Sequence, residues 1–411
     1  MLDIKIIRQN PKKIEEGCRK KGVKVDINKV LIVDEEKRKY QKTLEGLRAN
    51  QRKLSFETPL PLKKLTGIKN EIKKLEPLLR EKEQELIALL LKIPNLPADN
   101  VPEGKDEKEN VVIKKWGKQP EFDFKPREYL ELAERLDLID VKRAAKIAGS
   151  RFGYLKNQAA LLEIAILNFT FDMLIEKRFI PLFPPVMIKP KPMEGMGYLE
   201  RGKEEIYFIE KDKLYLTGTA EQSIGPMHID EVFEEKALPL RYLAFSTCFR
   251  REAGSYGKDT KGIFRVHQFD KIEMFSFSHP QKSQKEHQFL LSCEEKLMQA
   301  LKIPYRIVQI CTGDLGDPAA AKYDIEAWLP GEGCYRETHS TSNCTDFQAR
   351  RLNVRYKEKS GKLNFVHTLN GTAFAMGRIL IAIFENYQRK DGSIEIPVVL
   401  RKYFGRKKTI K

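Results

Sequence analysis

The chain has 411 residues, 41% hydrophobic and 32% charged, with a formal net charge of +17 at pH 7. That length allows two or three domains and a large core, and the charge suits a polyanionic partner, although on charge alone a merely basic soluble protein fits equally well. The six cysteines form no Cys-x-x-Cys pair and the six histidines show no ligand spacing, which argues against a disulfide framework or a zinc finger and for free thiols in a reducing cytoplasm.

At the N-terminus Leu2, Ile4 and Ile6 alternate with polar residues without a continuous apolar h-region, and no stretch reads as long enough to span a membrane. A soluble, cytoplasmic chain with no membrane partner is expected. Val30, Val33, Lys37, Tyr40, Leu44, Leu47, Gln51 and Leu54 then recur at intervals of three and four, as do Leu65, Ile68, Ile72, Leu75, Leu79, Lys82, Leu86, Leu89 and Ile93. Each is a heptad stripe, and Thr58-Pro59-Leu60-Pro61 separates them, so residues 28–93 are predicted to fold back as an antiparallel two-helix coiled coil. Arms of roughly 28 residues would reach about 40 Å. Pro77 predicts a kink or a break in the second arm. Between Lys37 and Lys74 stand twelve Lys or Arg against three Glu, a local excess of +9. A solvated coiled-coil face normally mixes both signs, so the bias favours an arm that contacts phosphates.

Pro94, Pro97, Pro102 and Gly104, followed by a charged run to Trp116-Gly117, read as a linker. The domains are therefore expected at 1–100, with a linker at 101–120 and a catalytic domain at 121–411. A helix over about Arg151 to Arg178 leads into Phe179-Ile180-Pro181-Leu182-Phe183-Pro184-Pro185. Short β-like runs follow at Leu214–Thr217, Tyr242–Phe249, Phe264–Phe275, Tyr305–Cys311 and Leu363–Leu369. Strands in succession without intervening helices indicate a mostly antiparallel sheet flanked by helices, an α+β fold.

The Gly-rich phosphate loops are missing, so a bound nucleotide would be held by side-chain cations and a metal. Cys248-Phe249-Arg250-Arg251-Glu252-Ala253-Gly254-Ser255-Tyr256-Gly257-Lys258-Asp259, continuing to Arg265-Val266-His267-Gln268-Phe269-Asp270-Lys271-Ile272-Glu273, reads as a long hairpin with a Gly-bearing loop. Arg250 can fork onto a phosphate or carboxylate, Glu252 can accept from an amino group, and Phe269 offers a flat face. Taken singly, each also fits a surface ion pair or a core aromatic.

Together, in this order, they resemble the class II aminoacyl-tRNA synthetases, and among them the seryl-tRNA synthetases of the bacterial kind, over essentially the whole chain. The Phe-Arg-x-Glu hairpin is similar to motif 2, which places Arg250 on the α-phosphate and the amino acid's carboxylate, Phe269 against adenine and Arg265 beside the phosphates. Leu369-Asn370-Gly371-Thr372-Ala373 through Gly377-Arg378-Ile379-Leu380 resembles motif 3, with Arg378 on the γ-phosphate. The run into Pro185 resembles motif 1, the dimer-forming segment, although the family normally has Gly where Arg178 stands. Thr217-Gly218-Thr219-Ala220-Glu221 is similar to the amino-acid loop, in which Thr219 and Glu221 hold the α-ammonium; Glu273 closes the polar end and Thr372 binds the serine hydroxyl, with Ala220 and Asn370 in the same stretches. Arg336-Glu337-Thr338-His339-Ser340 resembles the ATP and metal segment, which implies Mg2+ on Glu337 and Ser340. Arg251, Val266, Thr338 and His339 fall in the ATP-binding stretches, His339 as a local hydrogen-bonding residue.

The resemblance thus implies ATP-dependent ligation of L-serine to tRNA-Ser through a seryl-adenylate, by a homodimer whose helical hairpin reaches the long variable arm of the tRNA. It leaves open whether tRNA-Sec is also a substrate. Two other readings share parts of the pattern. A relative that loads a carrier protein would lack the long arm, and a basic coiled-coil RNA-binding protein on a dead core would not need Arg250, Glu252, Glu273, Glu337 and Arg378.

Overall fold

The computed structural model describes residues 1–253 and 261–411. The loop residues Gly254, Ser255, Tyr256, Gly257, Lys258 and Asp259 of the motif 2 hairpin therefore lie outside the described residues. The chain forms two compact units, Met1–Leu96 and Pro97–Lys411.

The first unit is helical: α1 (Ile4–Gln9), α2 (Pro11–Lys20), α3 (Ile27–Leu54) and α4 (Leu62–Leu91). Asp26 caps α3 by accepting from the Lys29 N–H at 2.9 Å, satisfying one of its orphan donors. Val30 and Val33 of the first stripe and Leu86 and Ile93 of the second are buried with Leu2, Ile7, Ile14 and Leu90, so the base of the hairpin is anchored in a small core. Further out, Lys37–Glu83 at 3.8 Å and Arg48–Glu76 at 2.8 Å pair the helices antiparallel. Exposed pairs of this kind contribute about 0.2–1 kcal/mol each, so they set register more than stability. Pro77 does not break α4, which runs helical from Leu62 to Leu91. The missing hydrogen bond and ring clash cost about 3 kcal/mol, which the packing against α3 on both sides offsets.

The second unit is built on eight strands: β1 (Val111–Trp116), β2 (Ile180–Leu182), β3 (Leu240–Phe249), β4 (Gln268–Ser278), β5 (Tyr305–Gln309), β6 (Ala321–Leu329), β7 (Cys334–Asn343) and β8 (His367–Ala375). They lie in the order β1-β5-β6-β7-β8-β4-β3-β2. Every pair is antiparallel except β2 with β3. Helices α5 (Asn157–Ile175), α6 (Ser283–Ala300) and α7 (Met376–Asn386) bury Leu162, Ile166, Leu290, Leu297, Ile379 and Ile383 in the main core with Ile272, Met274 and Ile325 of the sheet.

Two departures from the sequence reading stand out. The expected linker at 101–120 contains β1, which pairs with β5 from Val111↔Gln309 to Trp116↔Tyr305, and the Trp116 ring stacks on Tyr305 at 5.5 Å. An edge strand with exposed side chains leaves no burial alternation to read. Helix α5, at 19 residues with a mean hydropathy of 1.5, is long and apolar enough to cross a membrane by length and composition, contrary to expectation. It instead buries Ala159, Leu162, Ala165, Ile166 and Phe169 in the core of the unit.

Candidate active site

A cavity of about 710 Å³ opens between the strand ends of β3, β4, β6, β7 and β8, the 218–222 segment and the start of α7. Two β-bulges shape it. Between the pairs Ile325↔His339 and Glu326↔Glu337, Thr338 has no partner, and between Ile272↔Phe374 and Glu273↔Thr372, Ala373 has none. A bulge re-aims side chains that a regular strand would send to alternate faces. Gly377 is demanded by packing: a Cβ there would sit 2.8 Å from the Ile263 carbonyl oxygen.

One part of the cavity is cationic and aromatic. Arg250 Nε donates to the Gly218 carbonyl at 3.1 Å, and its guanidinium lies 5.3 Å from the Phe269 ring centroid. Arg378 Nη1 donates to the Glu337 carbonyl oxygen and pairs with Glu337 Oε1, both at 3.1 Å, with Phe264 beneath its guanidinium at 5.1 Å. Arg265 Nη1 lies 3.4 Å from Glu252 Oε2. Glu252 itself has a φ of 50°, a left-handed conformation that costs a non-glycine residue free energy and clusters at functional sites. Burial works to raise the Glu337 pKa, but Arg378, Lys322 and Arg250 overcome it and hold the carboxyl at about 2.

The other part is acidic and buried. Tyr198 donates its hydroxyl to Glu221 Oε1 in a short hydrogen bond. Lys271 Nζ lies 2.6 Å from Glu273 Oε2 and 3.1 Å from Thr219 Oγ1, and Thr372 Oγ1 donates to Glu273 Oε2 at 3.5 Å. Burial and the neighbouring Glu273 carboxylate push Glu221 up to about 7. Burial also raises Glu273, against the pull of Lys271 and Arg250. The Arg250 charge acts on Glu221, Glu273 and Glu337 alike, so it stands between the two parts.

The structure brings Arg250, Glu252, Arg265, Val266, Phe269, Glu337, Thr338, Ser340 and Arg378 together around this cavity with Thr219, Glu221, Asn370 and Thr372. Glu273 lies directly behind that wall, in contact with Lys271 and Thr372. Three expected residues point elsewhere. Arg251 lies over the Tyr207 ring at 5.7 Å, Ala220 is buried in a core cluster with Ile224 and Phe275, and His339 is buried edge-on to Phe374 at 5.3 Å. His339 lies between Thr338 and Ser340 on β7 and so faces away from the wall they form, whereas Arg251 lies past the end of β3, where its backbone N–H donates to the Glu205 carbonyl at 2.9 Å. His339 Nδ1 meets Thr338 Oγ1 at 2.8 Å, and burial depresses its pKa to about 3, so it is no general base near neutrality.

Sequence reasoning missed Lys271, Tyr198 and Lys322 as wall residues, together with Asp324 behind Lys322. Lys271 was legible, because Phe269, Lys271 and Glu273 alternate on one strand and must share a face. Lys322 and Asp324 sit opposite Ser342 and Ser340 in register, with Lys322 Nζ 3.1 Å from Asp324 Oδ2. No local motif marks either.

Such a cavity can grip a chain of phosphates with its guanidinium groups, offer a flat face to a base, and take an ammonium and a hydroxyl among its carboxylates. Comparisons with known proteins agree with this chemistry. Residues 1–97 match the family described as the seryl-tRNA synthetase N-terminal domain, and residues 206–387 match the tRNA synthetase class II core domain (G, H, P, S and T). The serine–tRNA ligase of Dictyoglomus turgidum is 45% identical over 417 residues, 98% of each chain. That of Thermodesulfovibrio yellowstonii is 43% identical over 420 residues, 98% of this chain and 99% of the relative. The crystal structure of seryl-tRNA synthetase from Pyrococcus horikoshii complexed with ATP superposes with a TM-score of 0.93 at 42% identity, covering 100% of this chain and 99% of that one. By both its N-terminal unit and its catalytic core, the chain belongs to the seryl-tRNA synthetase family of class II aminoacyl-tRNA synthetases.

Proposed function

We propose that this cavity joins L-serine to ATP as seryl-adenylate and then passes the seryl group to tRNA-Ser. The observation that carries the reading is the place of Arg250, which donates to the Gly218 carbonyl beside Thr219 and lies near the Phe269 ring, in one cavity with Glu221, Glu337 and Arg378. A serine carboxylate oxygen attacks the α-phosphorus in line, the bond to the β-phosphate bridging oxygen breaks, and pyrophosphate leaves. The terminal ribose hydroxyl of the tRNA then attacks the acyl carbonyl and AMP leaves. No protein nucleophile is needed, so catalysis is positioning and charge neutralisation.

Arg250 neutralises the α-phosphate and orients the attacking carboxylate, Arg378 and Arg265 hold the outer phosphates, and Phe269 stacks on the base. Thr219 and Glu221 accept the α-ammonium, while Glu273 and Thr372 bond the serine hydroxyl. A site built to bond a hydroxyl rejects alanine strongly, because its polar groups would be left unpaired. Threonine is excluded by lack of room for one methyl, on the order of 1–3 kcal/mol from packing.

Glu337 and Ser340 would hold Mg2+. Among the described residues no group of three or more His, Cys, Asp or Glu could hold a metal, but Mg2+ needs only one or two carboxylates when substrate phosphates complete its shell. The donor set fits: Glu337 stays ionised, the Ser340 hydroxyl bonds to Asp324, and Asp324 keeps one buried oxygen, Oδ1, without a hydrogen-bond partner. When bound, Mg2+ would neutralise charge on the triphosphate.

Outside the cavity, the exposed Leu161 and Ile164 of α5, with Ile180 and Phe183 after it, offer an apolar face for a second copy of the chain, as the motif 1 resemblance implies. The basic hairpin is the surface for the long variable arm of tRNA-Ser. A tRNA substrate fits a cytoplasmic location. ATP–pyrophosphate exchange with each of the twenty amino acids tests the whole reading: exchange must depend on serine, and a preference for any other amino acid overturns it.

A further inference from the structure

Lys271 is 7% exposed, and its ammonium donates to Glu273 Oε2 at 2.6 Å and to Thr219 Oγ1 at 3.1 Å. Both partners are themselves buried, Glu273 at 1% and Thr219 at 5% exposed. An ammonium with so little water around it has two of its three protons committed to the pocket that would receive the amino acid. That pocket holds two carboxylates, Glu221 and Glu273, and this single ammonium. Glu221 is bonded on Oε1 by Tyr198, and Glu273 is paired by Lys271. One negative charge is left for an incoming α-ammonium, and it belongs to Glu221.

We propose that Lys271 is a specificity-determining positioning residue: by pairing with Glu273 it keeps that carboxylate ionised as the acceptor for the amino acid's side-chain hydroxyl, and leaves Glu221 to the α-ammonium. A buried carboxyl without a paired cation takes up a proton instead of staying charged. The groups facing Glu273 set that balance. Lys271 flanks it on its own strand, Arg250 acts from the end of β3, and Thr372 donates from β8. Against them stand the Glu221 carboxyl, the Tyr198 hydroxyl and the Cys248 thiol around the pocket, with Glu294 of α6 behind the sheet. Without Lys271, Glu273 keeps Arg250 as a cation among several acidic groups, so its carboxyl would take up a proton more readily. A protonated Glu273 spends one oxygen as a donor and no longer matches a hydroxyl that must give its own proton.

The inference rests on the proposed serine pocket, and the test separates the two. ATP–pyrophosphate exchange is measured on the full-length protein for serine and alanine between pH 6 and 9, with the unaltered chain, K271M, K271R, E273Q and the double variant K271M/E273Q. K271M is expected to raise the KM for serine at least tenfold while the KM for ATP stays within twofold. Its serine-over-alanine preference should fall at least tenfold and recover as pH rises, and K271R should restore part of it. The double variant, which removes the buried charge pair as a unit, should differ from E273Q by less than threefold. A K271M protein with normal serine KM, or a loss that adds fully to that of E273Q and shows no pH dependence, overturns the role of Lys271 while leaving the pocket in place. Absence of serine-dependent exchange in the unaltered chain, or an E273Q protein with unchanged serine KM, overturns the pocket itself and this inference with it.

Discussion

Glu337 and Ser340, three residues apart on β7, both face the cavity because Thr338 between them is bulged out of the ladder with β6. On a regular strand residues at that spacing would face opposite sides of the sheet. The bulge turns a stretch that looks like strand into a two-oxygen site against the cationic wall, and it ties Glu337 to Arg378 at 3.1 Å.

From that geometry, Glu337→Gln is expected to raise the Mg2+ concentration for half-maximal pyrophosphate exchange by about tenfold or more, the scale on which weakening the surroundings of a metal acts. The variant keeps its size and a hydrogen-bonding oxygen, so the fold should stand. Titration of exchange activity with Mg2+ checks this, and an unchanged midpoint would remove Glu337 from the metal site.

Arg250 touches both halves of the chemistry, so its loss should act on rate more than on binding. Arg250→Ala is expected to lower kcat for exchange by about 10²–10³-fold, the usual cost of removing one preorganised donor from developing charge. Arg250→Lys should recover little, because a point charge cannot fork across two oxygens. Single-turnover adenylate formation separates this from a loss of ATP affinity, and near-normal turnover in the alanine variant would refute the assignment.

How much of this was readable depends on what each residue answers to. The hairpin was legible because α3 and α4 meet through side chains at regular intervals, and Val30, Val33, Leu86 and Ile93 are buried as that pattern demands. Arg250, Phe269 and Arg378 were legible because they follow a local order along the chain. Strands β6 and β7 were not, since Asp324, Thr338, Ser340 and Ser342 give the inner strands of the sheet a polar face that answers to the site and not to a core. Lys322 gains its meaning from Ser342, its partner across the ladder. Arg251 and His339 entered the reading by adjacency in sequence; strand alternation turns His339 away from the wall, and Arg251, past the end of β3, lies over Tyr207 instead.

A buried histidine, His287, gives the catalytic unit an acid-sensitive stability. His287 Nε2 donates to the Thr341 carbonyl oxygen at 3.1 Å, and burial pushes its pKa down to about 4. An unfolded histidine titrates near 6.5, so between those values the unfolded chain binds a proton that the folded one does not. Stability is therefore complete above about pH 6.5 and falls as pH drops towards 4, by up to about 3 kcal/mol from this group. His287→Gln, which keeps a donor and removes the base, should flatten the fall in Tm between pH 7 and pH 5. Parallel Tm curves for the two proteins would show that His287 is not the cause.

The hairpin carries its charge on residues that do not hold the fold. Lys63, Lys64, Lys69, Lys73 and Lys74 are all exposed on α4. Their joint replacement by Gln is expected to raise the KM for tRNA-Ser at least tenfold and to flatten its dependence on salt, since every phosphate left without a lysine keeps its condensed counterion. Serine-dependent exchange should be unchanged. An unaltered salt slope would place the tRNA elsewhere.

Arg178 closes α5 in a conformation suited to glycine. Its N–H donates to the Ile175 carbonyl at 2.9 Å, the Phe179 N–H donates to Leu174 at 3.3 Å, and its φ is 65°. A residue at this turn, just past the end of a helix, is most often glycine, because a Cβ in the left-handed region costs roughly 1–2 kcal/mol. The arginine is exposed, so its replacement sacrifices little packing. Glycine would in turn add freedom to the unfolded chain, which takes back part of the gain. The balance favours Arg178→Gly by about 0.5–1 kcal/mol, read as a higher urea midpoint at an unchanged m-value. Since the same turn feeds Ile180 and Phe183 towards the proposed dimer face, the variant should also leave the mass measured by light scattering unchanged. A lower midpoint would mean that the arginine side chain stabilises the fold by more than the strain of its backbone.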